Sequence, residues 1–165
     1  MASTTFGDTT VQTVAELPEV GSSAPAFTVV DADVRDVEST DYAGQRVVLN
    51  IFPSVGTGVC SQSVRTFNQL AASLENTTVI CVSKDLPFAL KAFCGAEGID
   101  RVHTTSAFRS SIGDDYGVAM ADGPWRGLLA RAVVVIDTDG TVMHTQLVPA
   151  IGQEPDYDAA VAALG

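Results

Sequence analysis

Two apolar bursts stand out along the chain, Val47-Val48-Leu49-Asn50-Ile51-Phe52 and Thr78-Val79-Ile80-Cys81-Val82. Nearly every successive position in them is apolar, so both faces are expected to be buried, as in the central strands of a parallel-type sheet. Between them Val64, Phe67, Ala71 and Leu74 recur at three- and four-residue steps. That spacing predicts a helix from about Cys60 to Glu75 with one apolar face. Strand, helix and strand in this order imply a right-handed βαβ unit. Residues 1–15 alternate apolar and polar around Phe6-Gly7-Asp8, which predicts a small β-hairpin.

The remaining segments fill in the order. "ELPEVGSSAPAF" is a Pro/Gly/Ser connector, and "FTVVDADV" reads as a strand followed by a loop through Tyr42-Ala43-Gly44. "KDLPFALKAFCGAEG" reads as a short helix, with Asp85 as N-cap, Pro87 in the first turn and Gly95 as the C-cap glycine. "AFRSSIGDDYG" predicts another short helix, and "RAVVVIDTDGTVMHTQLV" a hairpin that turns at Asp139-Gly140. "EPDYDAAVAALG" predicts a last helix opening at Pro155. This is the order of an α/β thioredoxin-like fold: a mixed central sheet flanked by helices, with an N-terminal β-hairpin extension. One domain over residues 1–165 is expected, since that length suffices to bury a core.

Charge and composition narrow the chemistry. A net charge of −11, from 20 acidic and 9 basic residues, disfavours nucleic acid as a partner, because phosphate binding needs clustered Lys and Arg. No apolar run approaches a membrane-spanning length, and the first residues have neither a basic nor an apolar signal region, so no membrane role and a cytoplasmic location are expected. Three Cys cannot form a complete disulfide framework and point to free, catalytic or redox thiols. No CxxC or HExxH occurs, so neither a disulfide isomerase nor a metal site is expected. A Cys–His hydrolase would need His103 or His144, the only two histidines, beside a cysteine; one is expected in a loop and the other inside a hairpin strand.

"FPSVGTGVC", residues 52–60, delivers Cys60 from the end of a strand to the start of a helix. Unpaired N–H groups and the helix dipole favour negative charge there, which helps a thiolate. Pro53 ends the strand, Gly56 and Gly58 allow a tight turn, and Thr57 lies three residues before the thiol. From turn and thiol alone, a buried and inert cysteine stays open as the other reading. Cys81, between apolar neighbours in mid-strand, reads as that kind of core thiol.

Pro53-Ser54-Val55-Gly56-Thr57-Gly58-Val59-Cys60 matches the P-x-x-x-T-x-x-C signature of the peroxiredoxins. "SVRTFNQLA", "CVSKDLPFA", "FCGAEG", "YGVAMADGP", "GLLARAVVVID" and "EPDYDAA" resemble, in order, the blocks of their thiol peroxidase subfamily, the atypical two-Cys bacterial enzymes. The resemblance covers the whole domain. It implies a thioredoxin-dependent peroxidase of hydrogen peroxide and organic hydroperoxides, without cofactor and homodimeric. Cys60 would be the peroxidatic Cys and Cys94, 34 residues on, the resolving Cys of an intramolecular disulfide. Thr57 would hydrogen-bond peroxide or thiolate, Pro53 would shield the site, and Arg131 would orient the peroxide through its fixed donors. Local unfolding around both cysteines is expected in turnover. The subfamily pattern is expected to carry Asp before the motif Thr; this chain has Gly56, which removes a negative charge and loosens the loop. A redox-sensing or holdase-like switch using the same Cys pair is the alternative.

Overall fold

In the computed structural model, which describes residues 1–165, the two apolar runs lie side by side as parallel strands. In chain order the elements are β1 (Ser3–Phe6), β2 (Thr9–Gln12), β3 (Thr28–Asp31), β4 (Asp36–Glu38), a 3-10 turn (Ser39–Tyr42), β5 (Arg46–Ile51), α1 (Gly58–Ala71), β6 (Thr77–Ser83), α2 (Pro87–Glu97), β7 (His103–Ser106), α3 (Ile112–Asp115), β8 (Ala132–Ile136), β9 (Val142–Leu147) and α4 (Tyr157–Ala162). The main sheet has the order β4-β3-β7-β6-β5-β8-β9. β5, β6 and β7 run parallel, while β3, β4, β8 and β9 join antiparallel. The sheet is therefore mixed, and β1 with β2 forms the separate N-terminal hairpin.

Both faces of β5 are covered, which is why its sequence is almost continuously apolar. Val47, Leu49 and Ile51 pack on one side with Ile80, Val82, Tyr116 and Val134. Val48 and Phe52 pack on the other with Val64 and Phe67 of α1 and Ala160 of α4. Phe67 is fully buried, a placement that contributes about 1.5–3 kcal/mol relative to exposure. Asn50 is the fully buried polar side chain on this second face.

Several local expectations shift. α1 begins at Gly58 rather than Cys60, because Thr57 supplies the cap. It gives way after Ala71 to three-residue turns at Ser73 and Leu74. Asp85 does not cap α2. Leu86 is the N-cap residue, without a side-chain bond, and the following Pro87 has no N–H to satisfy. Gly95 lies inside α2, and Gly98 (φ 67°) ends it. β7 escapes the apolar pattern because its His-Thr-Thr-Ser sequence is polar, yet Thr104, Thr105 and Ser106 are buried. His103 accordingly opens a strand rather than sitting in a loop. α4 starts at Tyr157, capped by Asp156.

Gly117 (φ 70°) makes a close backbone approach, since a Cβ there would lie 2.2 Å from the carbonyl oxygen of Glu16. Gly98 has a similar φ with open space around its missing Cβ. Gly98→Ala is expected to cost about 1–2 kcal/mol from backbone conformation alone. Gly117→Ala should cost more than about 3 kcal/mol, because Glu16 must also move. Urea denaturation midpoints of the two variants separate these effects.

Candidate active site

The turn after β5 is built by what its residues cannot do. The ladder with β6 extends to Phe52, whose N–H donates to the carbonyl of Val82. Pro53, buried, has no N–H to continue it, so the chain leaves the sheet. Ser54 then turns the loop: its carbonyl accepts from the Thr57 N–H at 3.2 Å and its Oγ from the Gly56 N–H at 3.0 Å. Thr57 has extended backbone angles and its Oγ1 accepts from the Cys60 N–H at 3.3 Å, satisfying one donor of the first turn of α1. The same hydroxyl faces the Ser54 carbonyl at 3.4 Å.

Cys60 is fully buried, and its Sγ accepts a hydrogen bond from Nη2 of Arg131 at 3.2 Å. Arg131 stands immediately before β8, which pairs with β5 and so brings the guanidinium over the start of α1. It is 1% exposed and has no carboxylate partner. Its Nε and Nη2 donate to the carbonyl of Ile151 at 3.0 and 2.9 Å. Nη1 has no partner. The Ile151 carbonyl is held in turn by the N-terminal hairpin: the Thr5 N–H donates to Pro149, the Ile151 N–H to Thr5, and Thr4 Oγ1 to Val148. A buried cation with one unpaired donor favours an anionic or hydrogen-bond-accepting ligand beside it.

A cavity of about 320 Å³ adjoins this guanidinium, lined by Thr57, Val59, Arg131 and Ile151 with Phe6 and Trp125. Phe6 and Trp125 meet edge to face, 4.7 Å between centroids. Its apolar walls thus come from the hairpin and the "MADGPW" stretch. Phe52 is buried beneath the site, and Phe93 packs on the core below α1.

Cys94, half-buried on α2, lies with its Sγ 3.1 Å from Thr104 Oγ1 on β7. All three cysteines are free thiols. β7 and β8 are separated by β6 and β5, three strand spacings or roughly 14 Å. The anchors of Cys94 and Cys60 are therefore far outside disulfide reach in this state. Cys81 lies between them on β6, in register with Asn50 and Thr104. Burial pushes its thiol up to about 12, against a hydrogen bond from Asn50 that acts the other way. No hydrogen bond joins His103 or His144 to Cys60; the sulfur's partner is Arg131. No cluster of three His, Cys, Asp or Glu side chains forms a metal-holding group. No helix is long and apolar enough to cross a membrane.

The fold brings Cys60, Thr57 and Arg131 together at the start of α1 and sets Pro53 at the head of the same turn, while Cys94 stays apart on α2. The Ile151 carbonyl carries no side-chain signal in the sequence, and Phe6 is remote from the motif. Asp85 is not the helix cap that its "KDLP" setting suggests.

A family model described as Redoxin matches residues 19–161 of the chain. The thiol peroxidase of Mycobacterium tuberculosis is 59% identical over 165 residues, covering 100% of this chain and 99% of that protein. The thiol peroxidase of Corynebacterium glutamicum is 56% identical over 164 residues, 99% of each. Among solved structures, a peroxiredoxin-like protein from Aquifex aeolicus superposes with a TM-score of 0.94 at 36% identity, covering 98% of this chain and 95% of that one.

The folded thiol of Cys81 stays protonated to higher pH than an unperturbed thiol, which titrates near 9.0. Its burial therefore stabilises the fold fully below about pH 9, and this contribution is lost as pH rises toward 12, where the unfolded chain has already released its proton. Cys81→Ala is expected to flatten the alkaline decline by up to about 1.4 kcal/mol per pH unit. Denaturation midpoints across that interval provide the check.

Proposed function

The chain belongs to the Redoxin family, among its thiol peroxidases, and from that premise we propose a two-cysteine peroxidase cycle run by Cys60 and Cys94. The observation that carries this reading is the 3.2 Å bond from the buried Arg131 guanidinium to the Cys60 sulfur, beside a cavity into which a peroxide fits. The Cys60 thiolate attacks one oxygen of ROOH, the O–O bond breaks, and the departing alkoxide takes up a proton as ROH. Cys60 is left as the sulfenic acid. Arg131 Nη1, the unpaired donor, binds a peroxide oxygen and stabilises the charge that moves onto the leaving oxygen. Thr57 holds the start of α1 and lines the cavity, while Pro53 keeps the strand end closed against water.

The Cys94 thiol then displaces hydroxide from the sulfenic acid sulfur, giving the Cys60–Cys94 disulfide and water. Separation of the anchors by three strands makes local unwinding of α1 and α2 a required part of this step. A dithiol protein of the thioredoxin type returns both thiols, becoming oxidised itself. The apolar walls from Phe6, Val59 and Trp125 suit organic hydroperoxides as well as hydrogen peroxide. Leu86, Phe88 and Phe108, exposed large apolar side chains, fit an interface in a homodimer. The whole chain acts as one catalytic domain, in the cytoplasm, where thiols stay reduced.

Cys60→Ser is expected to abolish peroxide consumption. Cys94→Ser should consume about one equivalent and then stop, with the sulfenic acid trapped by a dimedone-type reagent. Arg131→Lys should slow Cys60 oxidation by about 10²-fold, since an ammonium cannot hold Ile151, Cys60 and peroxide together. Stopped-flow fluorescence of Trp125, the single tryptophan, follows that step. Turnover by Cys60→Ser would overturn the assignment.

A further inference from the structure

Asp85 ties together the two segments that must part before the disulfide can form. It sits at the end of β6, two residues before α2, the helix that carries Cys94. Its carboxylate does not cap that helix. Oδ1 accepts from Ser54 Oγ at 2.6 Å, and Oδ2 from the Val55 N–H at 2.9 Å and from Ser83 Oγ at 2.7 Å. Two of these three donors belong to the turn that leads into Cys60. Ser54 is also the residue whose carbonyl and hydroxyl organise Thr57 and Gly56. On the other side, the Asp85 carbonyl accepts from Ser106 Oγ at the end of β7, the strand that also carries Thr104 and so faces Cys94. No lysine or arginine pairs with the carboxylate, so these donors alone satisfy its charge.

Charge-assisted hydrogen bonds of this length are among the stronger ones in proteins. Placed within either segment, they would be ordinary turn chemistry. Placed between the Cys60 turn and the approach to the Cys94 helix, they oppose separation of the two.

We propose that Asp85 is a positioning residue that acts as a tether, holding the reduced enzyme in its peroxide-reactive form and limiting the rate at which Cys60 and Cys94 join. This rests on the two-cysteine cycle proposed above. Asp85 touches neither peroxide nor sulfur and works through Ser54 and Val55. Weakening it has opposite effects on the two steps. The cavity beside Arg131 is assembled less of the time, so oxidation of Cys60 slows. The unwound state is reached more readily, so the disulfide forms faster and less Cys60 is over-oxidised to the sulfinic acid. A residue that merely stabilises the fold would not produce this opposition.

The test uses the full-length reduced protein and cumene hydroperoxide. Trp125 fluorescence reads the first step, and acid-quenched peptide mass mapping reads the Cys60–Cys94 crosslink. Asp85→Asn keeps the shape and removes the charge. It is expected to slow the first step several-fold and to accelerate disulfide formation by about tenfold, the equivalent of one charge-assisted hydrogen bond. Ser54→Ala, which deletes one tether and leaves the carboxylate, should move both steps in the same directions by less, and decides the matter if Asp85→Asn fails to fold. Both steps slowing together, or disulfide formation unchanged within twofold, overturns the tether. A wild-type protein that never forms the crosslink overturns the underlying cycle instead, and is seen before any variant is made.

Discussion

Everything near the site depends on one buried guanidinium. Arg131 lies in the interior without a carboxylate beside it, a placement whose desolvation cost must be offset by hydrogen bonds and by an anion. The Ile151 carbonyl and the Cys60 sulfur accept its hydrogen bonds, and Nη1 is left for an anionic or accepting ligand. The N-terminal hairpin matters for this reason: its ladder to residues 148–151 fixes the carbonyl that fixes the arginine. The same hairpin lends Phe6 to the cavity wall, so one small extension both supports the charge and shapes the access route.

A second constraint pulls the other way. Cys60 and Cys94 are each well seated, one against Arg131 and the other against Thr104, and the seats are three strands apart. In this arrangement the proposed Cys60–Cys94 disulfide therefore cannot form. Short helices suit this conflict. α2 has eleven residues and no side-chain cap at its start, so its opening costs less than that of a longer, capped helix. Cys81, on β6 between Asn50 and Thr104, stays protonated because burial pushes its thiol pKa up to about 12.

The residues made some of this legible and hid the rest. β5, β6, α1 and the β8–β9 hairpin follow from periodicity because their burial is apolar and regular. β7 does not, since threonine and serine fill its buried positions and its signal is lost among polar residues. Cys60 and its turn are readable because a chemical motif is contiguous. The role of Arg131 needs the resemblance, as a lone arginine before a strand usually reads as surface charge. Ile151 and Asp85 were beyond reach for different reasons. One acts through its backbone, and the other sits where a helix cap is expected but turns its carboxylate back across the chain to Ser54.

The most direct measurement treats the fully reduced protein with one equivalent of an alkyl hydroperoxide, blocks the remaining thiols after seconds, and weighs the tryptic peptides. Cleavage at Arg46, Arg65, Lys84, Lys91 and Arg101 places each cysteine on its own fragment. A Cys60–Cys94 crosslink with Cys81 blocked as a free thiol is the predicted result. Three blocked, unoxidised thiols, or a crosslink through Cys81, would contradict the account.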